Sequence, residues 1–551
     1  MKRPPFAVLL AFAFLHGLLF AASAENPNIV VILTDDQGYA DLSSQGIVED
    51  VHTPHIDRLA AEGVRMTDGY ITAPQCSPSR AGILSGRYQQ RFGYESNAEG
   101  MFSRSERSLA RRLQEVGYQT CMVGKWHVGA VRVNTDNPEF DYLETHREAL
   151  GIDKLPDPQD PRNEWLQDIY SHVVPLYKPQ ARGFDSVFDG RLYDVEYNFD
   201  PKGNVYDRLR KRKFEGYRLD LQTEAATAFL DLYHDRPFFL YVSYFAPHVP
   251  LEATEEYLAR FPGEMPERRR QALAMISAVD DGVGRILAKL AEHGIDENTL
   301  IFFLSDNGAP LKRTMADVPI LPREVIWQAN SKKAKVPWKG AWDGSLNTPL
   351  AGEKGMIAEG GIRVPFIMRW KSQLPAGEIY SEPVISLDIA ATATAVAGAS
   401  TDSPPLDGVN LIPFLKGERE GSPHESLYWR FWDQWAIRQG DWKLLIQGNR
   451  EWLFNLREDI AERNNLLNQH PEKAAKLKEA LTAWNETLFF ERPIGERKDL
   501  PDTTGSFDFY FTEHDHHRWP ERSVGRLVHG LVRICLSLAK PPRSQRNLLF
   551  G

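Results

Sequence analysis

The sequence predicts an α/β fold: a large, mostly parallel central sheet flanked by helices, with a small C-terminal α+β subdomain. Three observations lead there. Four short apolar runs, 28–33, 118–123, 238–244 and 299–304, are rich in strand formers and nearly free of charge, as suits strands buried on both faces. Helical patterns lie between them, and strands alternating with helices argue for parallel pairing. Beyond residue 415 the texture shifts to closely spaced strand and turn signals.

The first residues stand outside the fold. Lys2 and Arg3 precede an apolar stretch from Phe6 to Phe20, and Ala22-Ser23-Ala24 supplies small residues for cleavage. This reads as a signal peptide over residues 1–24, too short for a stable membrane span, and it implies export to a periplasm or the exterior. A main domain over 25–415 follows. Its helices are expected from Thr53-Pro54 to near Gly63, from Ser108 to Val116, from Leu219 to Leu232, and from Ala272 to His293. Leu406 to Pro413, Gly417 and Gly421-Ser422-Pro423 suggest a boundary. The C-terminal subdomain, 416–490, carries a hairpin around Gly440-Asp441, a third strand from Glu451 to Leu456, and an amphipathic helix from Pro471 to Trp484. The tail, 491–551, is assigned no role.

The 551 residues carry a formal charge of −10, which speaks against nucleic acid as a partner. An anionic substrate would need local basic groups or a metal. Only three cysteines occur, odd for an exported chain. Cys121 lies in an apolar run and reads as an inert buried thiol. Cys76 sits in a polar, proline-bearing loop and calls for another explanation.

Each apolar run ends on polar groups: Thr34-Asp35-Asp36, Gly124-Lys125-Trp126-His127, Ala246-Pro247-His248 and Ser305-Asp306-Asn307-Gly308. Ligands of such sheets bind beyond the carboxyl ends of the strands, so the four clusters are expected to meet in one pocket. Asp35, Asp36, Asp306 and Asn307 offer oxygen ligands with no neighbouring Cys or His ligand, a set suited to Ca²⁺ or Mg²⁺ rather than Zn²⁺. Lys125 and His127, two residues apart, would share one face of an extended segment. In Cys76-Ser77-Pro78-Ser79-Arg80, Pro78 and Ser79 would start a helix, setting Cys76 beside unpaired N–H groups, with Arg80 as a fixed positive fork.

That string continues through Ala81-Gly82-Ile83-Leu84 to Ser85-Gly86-Arg87. The whole pattern, C-x-P-S-R and then [ST]-G-R, resembles the sulfatase family of the alkaline-phosphatase superfamily, with further landmarks in order across roughly residues 28–485. The resemblance implies that a sulfatase-maturation enzyme converts Cys76 to formylglycine. It favours Ca²⁺, with Mg²⁺ the alternative, at Asp35, Asp36, Asp306, Asn307 and the modified residue 76. It makes Cys76, Arg80, Lys125, His127, His248 and Lys354 the catalytic set. Lys125 and His127 would hold the aldehyde hydrate and the sulfate, and His248 the sulfate and leaving group. Lys354, in Gly352-Glu353-Lys354-Gly355, would lie near the ester oxygen, while Arg363 supports the fold. Trp442-Lys443-Leu444 and Leu453-Phe454-Asn455-Leu456 resemble the family's C-terminal subdomain. The expected reaction is hydrolysis of a sulfate ester, with a sulfated carbohydrate as substrate.

Two rivals stand beside this reading. One is a phosphate or phosphonate monoester hydrolase on the same fold; the two-zinc phosphatases among these use His ligands, and none accompanies Asp35-Asp36 or Asp306-Asn307. The other is a non-catalytic glycan-binding protein, against which the complete set of site residues argues. Three further features stay outside the site. The insert from Lys312 to Ser345, with Lys332, Lys333, Lys335, Trp338, Lys339 and Trp342, suits a specificity loop or a structural cover. Arg208 to Lys213 reads as a solvated helix face rather than a polyanion site. His514-Asp515-His516-His517 reads as tail rather than metal tract.

Overall fold

The structure, a computed structural model, describes residues 26–97, 102–103, 105–128, 177–190, 192–311, 343–489, 494 and 503–512. The signal segment, most of the 312–345 insert, His514 to His517 and Cys535 lie outside these residues.

The strands in chain order are β1 (Asn28–Asp35), β2 (Val64–Met66), β3 (Gly69–Tyr70), β4 (Gln119–Gly124), β5 (Ser186–Asp189), β6 (Asp194–Phe199), β7 (Val205–Lys213), β8 (Phe238–Pro247), β9 (Thr299–Ser305), β10 (Phe366–Arg369), β11 (Glu378–Tyr380), β12 (Val384–Ile385), β13 (Leu427–Phe431), β14 (Gln434–Gln439), β15 (Trp442–Gln447) and β16 (Arg450–Asn455). Ten of them form one sheet in the order β11-β2-β10-β9-β1-β8-β4-β5-β6-β7. The segment β9-β1-β8-β4-β5 is parallel throughout, while β10, β6 and β7 run antiparallel to their neighbours. The four apolar runs of the sequence are four adjacent strands of this parallel centre.

Burial on both faces explains their lack of charge. Ile29, Val31 and Leu33 of β1 pack on one side, with Phe239, Tyr241, Phe302 and Leu304. Val30 and Ile32 pack on the other, with Leu240, Val242, Ile301 and Phe303. Helices Pro54–Ala61, Arg218–Tyr233 and Glu267–Glu292 cover this second face. Helices Cys76–Ser85, Leu109–Gln114 and Leu387–Val396 cover the first. Ser108 caps its helix by accepting from the Arg111 N–H, as its position suggests. Thr53 does not cap; its hydroxyl turns instead to Ser43 and Asp57.

Two expectations are corrected. Arg208 to Lys213 is no helix face: it belongs to β7, the exposed outer strand of the sheet. The C-terminal sheet has four strands, not three, because β13 precedes the expected hairpin and turns into β14 through Trp432-Asp433. No helix among the described residues is long and apolar enough to cross a membrane.

The C-terminal sheet shares a core with the first face, through Trp429, Trp435, Leu444 and Leu453. Polar contacts reinforce the join. Trp429 Nε1 donates to the Ile71 carbonyl at 2.7 Å, and Arg438 pairs with Asp68 at 2.6 Å. Buried Lys443 lies 2.9 Å from both Glu359 and Glu462. Two carboxylates thus share one ammonium. Burial pushes Glu462 up to about 7, beyond what Lys443 recovers, while for Glu359 Lys443 and Arg363 overcome burial and hold it near 2. Because the folded state raises Glu462, its share of stability is full below about pH 4.5 and is lost as pH rises through about 7. Lys443→Met should therefore cost about 3 kcal/mol of folding stability, and more at pH 8 than at pH 5, read from urea midpoints. An equal midpoint for both proteins at pH 8 would refute this weld.

Candidate active site

The carboxyl ends of β1, β9, β8 and β4 bring together the polar clusters that follow them. β1 ends on Asp35, and Asp36 has a left-handed backbone, φ 66°. In continuous strand, consecutive side chains point to opposite faces; this turn at an aspartate, a residue that tolerates it, breaks the alternation. Both carboxylates therefore serve one buried site. Asn307 Nδ2 donates to Asp36 Oδ1 at 2.6 Å, and the Asp36 N–H donates to Asp306 Oδ1 at 3.2 Å.

Cys76 opens a helix, Cys76–Ser85, in which every residue is buried, serines and arginine included. The Ser77 N–H, expected to be unpaired, donates to Asn97 Oδ1 at 2.9 Å. Cys76 Sγ lies 3.9 Å from Asp36 Oδ1. Lys354 Nζ reaches Cys76 Sγ at 3.1 Å and Asp36 at 2.6 and 2.8 Å. Lys125 Nζ pairs with Asp35. Arg80, fully buried, donates to Asp306 through Nε at 2.8 Å and to the Lys125 carbonyl and Ser243 Oγ through Nη1. His248 Nε2 lies 3.6 Å from Asp36 Oδ2, and its side chain is 23% exposed.

His127 departs from expectation. Its backbone is left-handed, φ 54°, so Lys125 to His127 is not an extended segment with a shared face. Its carbonyl accepts from Ser77 Oγ, beside Cys76 in sequence. Ser243 went unnoticed in the sequence: its hydroxyl accepts from Arg80 and donates to the Lys125 carbonyl at 2.8 Å. The available signal was a lone serine inside an otherwise apolar and aromatic strand. Arg363 supports the fold, bonded to Asp68 at 2.7 Å and to the Thr67 carbonyl at 2.8 Å.

The charges are strongly coupled. Burial pushes Asp35 up, but Lys125, His248 and Arg80 together hold it well below the usual range. Burial and the Asp35 charge raise Asp306 to about 6 despite Arg80. Burial pushes the Cys76 thiol up to about 12 against the pull of Lys125 and Lys354, and lowers His248 to about 4.

Two buried acceptors, Asp35 Oδ1 and Asn307 Oδ1, have no donor. Neither can be satisfied by another acceptor, and together with Asp36 and Asp306 they suit a hard cation. The absence of Cys or His neighbours beside these oxygens holds along the sequence, not in space. Ligand atoms of Asp35, Asp36, Cys76 and His248 all lie within 4.8 Å of one another. β8 is hydrogen-bonded to β1, which carries His248 to the two aspartates despite more than 200 intervening residues.

The chain has well-defined relatives. Residues 27–399 match the Sulfatase family model, and residues 352–487 match the N-sulphoglucosamine sulphohydrolase C-terminal model. The chain belongs to the sulfatase family. Mouse (Mus musculus) N-acetylgalactosamine-6-sulfatase is 31% identical over 445 residues, 78% of this chain and 73% of the relative. Human (Homo sapiens) arylsulfatase H is 30% identical over 454 residues, 73% and 74% of the two chains. The crystal structure of Ps i-CgsB in complex with k-i-k-neocarrahexaose superposes with a TM-score of 0.64 at 26% identity, covering 94% of this chain and all of that one. This sulfatase is accordingly a sulfuric ester hydrolase.

Glycine spacing keeps the sulfatase site closed behind the metal-suited oxygens. A Cβ on Gly308 would stand 1.8 Å from the Gly360 carbonyl oxygen, and one on Gly361 would stand 1.9 Å from that of Met356. The turn bearing Lys354 lies between, its N–H donating to the Ala309 carbonyl at 3.2 Å. Gly308→Ala should therefore displace the Lys354 turn, costing roughly 1–3 kcal/mol of stability by overpacking and lowering kcat together with it. Unchanged thermal midpoint and kcat in this variant would contradict the close approach.

Proposed function

We propose that this sulfatase is an exported, formylglycine-dependent enzyme that removes sulfate from a sulfated carbohydrate with a bound Ca²⁺, Mg²⁺ being the alternative. The observation that carries the proposal is the meeting of Cys76, Asp35, Asp36, Asp306, Asn307, Lys354 and His248 in one cluster containing two oxygens without donors. Export is supported by the Lys2 to Ala24 segment, and the carbohydrate by the names of two relatives, N-acetylgalactosamine-6-sulfatase and the neocarrahexaose complex. A maturation enzyme acting on the Cys76 string would be the protein partner.

When bound, the cation neutralises charge on sulfate oxygens, and an aldehyde hydrate at position 76 supplies the nucleophile. The chain's own groups do the rest. Asp35, Asp36, Asp306 and Asn307 would hold the cation. Arg80 positions this set by fixing Asp306 and the start of its own helix. Lys125 and Lys354 set positive charge beside the reacting centre, where the low dielectric strengthens it. His127, whose carbonyl accepts from Ser77 Oγ beside position 76, would be the base for the hydrate's second hydroxyl. His248, partly exposed beside Asp36, protonates the leaving oxygen; an arriving sulfate ester raises its basicity by placing negative charge beside it.

Two outcomes test this. Active enzyme should carry a carbonyl at position 76, trapped by a hydrazide and found by peptide mass spectrometry. Chelation should abolish turnover, Ca²⁺ or Mg²⁺ should restore it, and Asp306→Ala should lose both metal and activity. Full activity with an intact Cys76 thiol, or without detectable metal, would sink the mechanism.

A sugar alkoxide needs a proton as it leaves, whereas nitrophenolate departs with little help. His248→Ala and Lys354→Ala should thus lose roughly 10²–10⁴-fold in kcat on a sulfated oligosaccharide, and far less on nitrophenyl sulfate. Equal losses on both, with chemistry rate-limiting, would assign these residues to sulfate binding instead. Faster turnover of a phosphonate monoester than of any sulfate ester would favour the rival hydrolase.

A further inference from the structure

β7 is one of the two outer strands of the large sheet, and residues 205–213 carry five basic residues against one acidic residue, Asp207. The protein as a whole has more acidic than basic residues, 75 against 65. Arg208, Arg210, Lys211 and Arg212 are all exposed. Basic residues on an outer strand do protect a sheet from pairing with other chains. Two features exceed what that protection requires.

The first is seating. Arg210 and Arg212 alternate along the strand and so share one face, about 7 Å apart, while Arg208 lies in the stretch where the pairing with β6 shifts register. Arg210 lies over the Tyr206 ring at 3.8 Å and Arg212 over the Phe214 ring at 5.2 Å. Those rings pack edge-on against Tyr197, at 5.7 and 5.1 Å. The two guanidiniums therefore rest on an aromatic bed that limits their motion and lowers the entropy cost of binding an anion. Glu196, which pairs in register with Lys211, is engaged by Lys178.

The second is placement. β7 runs parallel in direction to β5, since both pair antiparallel with β6. One row of register partners runs from Leu33 through Ser243, Gly124, Asp189 and Glu196 to Lys211. Arg210, Lys211 and Arg212 thus stand toward the same end of the sheet as Asp35, Lys125 and His248. Five strand spacings of about 4.8 Å put them roughly 24 Å from β1.

We infer that the exposed arginines of β7, Arg208, Arg210 and Arg212, form an accessory binding surface for the sulfated polysaccharide whose ester is cleaved at Cys76, holding the polymer chain beside the end of the sheet that carries the site. This rests on the carbohydrate reading of the active site. A shared end of the sheet favours the glycan over nucleic acid or an anionic membrane, because one extended sulfated chain can touch both the arginines and the site.

The test compares wild-type enzyme with the Arg208→Gln/Arg210→Gln/Arg212→Gln variant. The substrates are nitrophenyl sulfate and whichever of carrageenan, chondroitin sulfate and heparan sulfate the wild type desulfates fastest. The variant should raise KM for the polymer about tenfold, flatten its dependence on salt, and leave nitrophenyl sulfate turnover unchanged. Arg→Lys at the same positions should keep most of the polymer affinity. Wild-type KM and salt dependence on the polymer in the Gln variant would overturn the surface alone. So would a matching loss on nitrophenyl sulfate, or DNA of equal charge competing as strongly as the polymer. Failure of the wild type to desulfate any sulfated polysaccharide would remove the carbohydrate reading and the surface with it.

Discussion

The Arg80 guanidinium is tied to the ends of four strands. Its Nε and Nη2 meet Asp306 after β9, its Nη1 meets the Lys125 carbonyl after β4 and Ser243 on β8, and Asp35 of β1 lies 3.6 Å away. A charge this deeply buried is tolerable only because every neighbour compensates it, and removing it would leave Asp35 and Asp306 facing one another. The same guanidinium explains why the Cys76–Ser85 helix sits where it does. Its residues are buried all round, so no amphipathic stripe decides its orientation. The arginine does, and with it the position of Cys76.

Lys354 depends on a different support. Its turn is held from below by the C-terminal sheet: Gln434 accepts from the Ile357 N–H and donates to the Gly355 carbonyl, both at 2.9 Å. The Gly355 N–H in turn donates to the Pro74 carbonyl, just before the Cys76 helix, at 2.8 Å. Lys443 and its two glutamates fix the short Glu359–Ile362 helix that follows. The small sheet therefore acts on the chemistry by rigidity. It presents no group to the Cys76 cluster, yet the lysine nearest Cys76 Sγ hangs from it.

Electrostatic balance sets the character of the pocket. Asp35, Asp36 and Asp306 face Arg80, Lys125 and Lys354, so the cluster alone is close to neutral. A divalent cation would tip it positive, which is what an anionic ester needs from an acidic protein. Asp35 Oδ1 and Asn307 Oδ1, the two oxygens without donors, would face that charge.

Much of this was legible residue by residue. Strands buried on both faces must be apolar and short, so β1, β4, β8 and β9 announced themselves, and the polar groups just past them marked the site. Local signals failed where the local code is ambiguous. A run such as Arg208 to Lys213 has no apolar periodicity, so helix and strand read alike, and only pairing with β6 made it a strand. β13 was missed because its turn, Trp432-Asp433, lacks the glycine that marks the next hairpin at Gly440. The sequence by itself determined the kinds of elements, the chemistry at their ends and the cysteine motif, all properties of neighbouring residues. Tertiary structure alone decided that β8 lies beside β1, that Asp36 and His127 turn left-handed, and that His248, Lys354 and Cys76 close around the aspartates. Lateral strand order and side-chain burial are contacts between distant residues, and no stretch of chain encodes them alone.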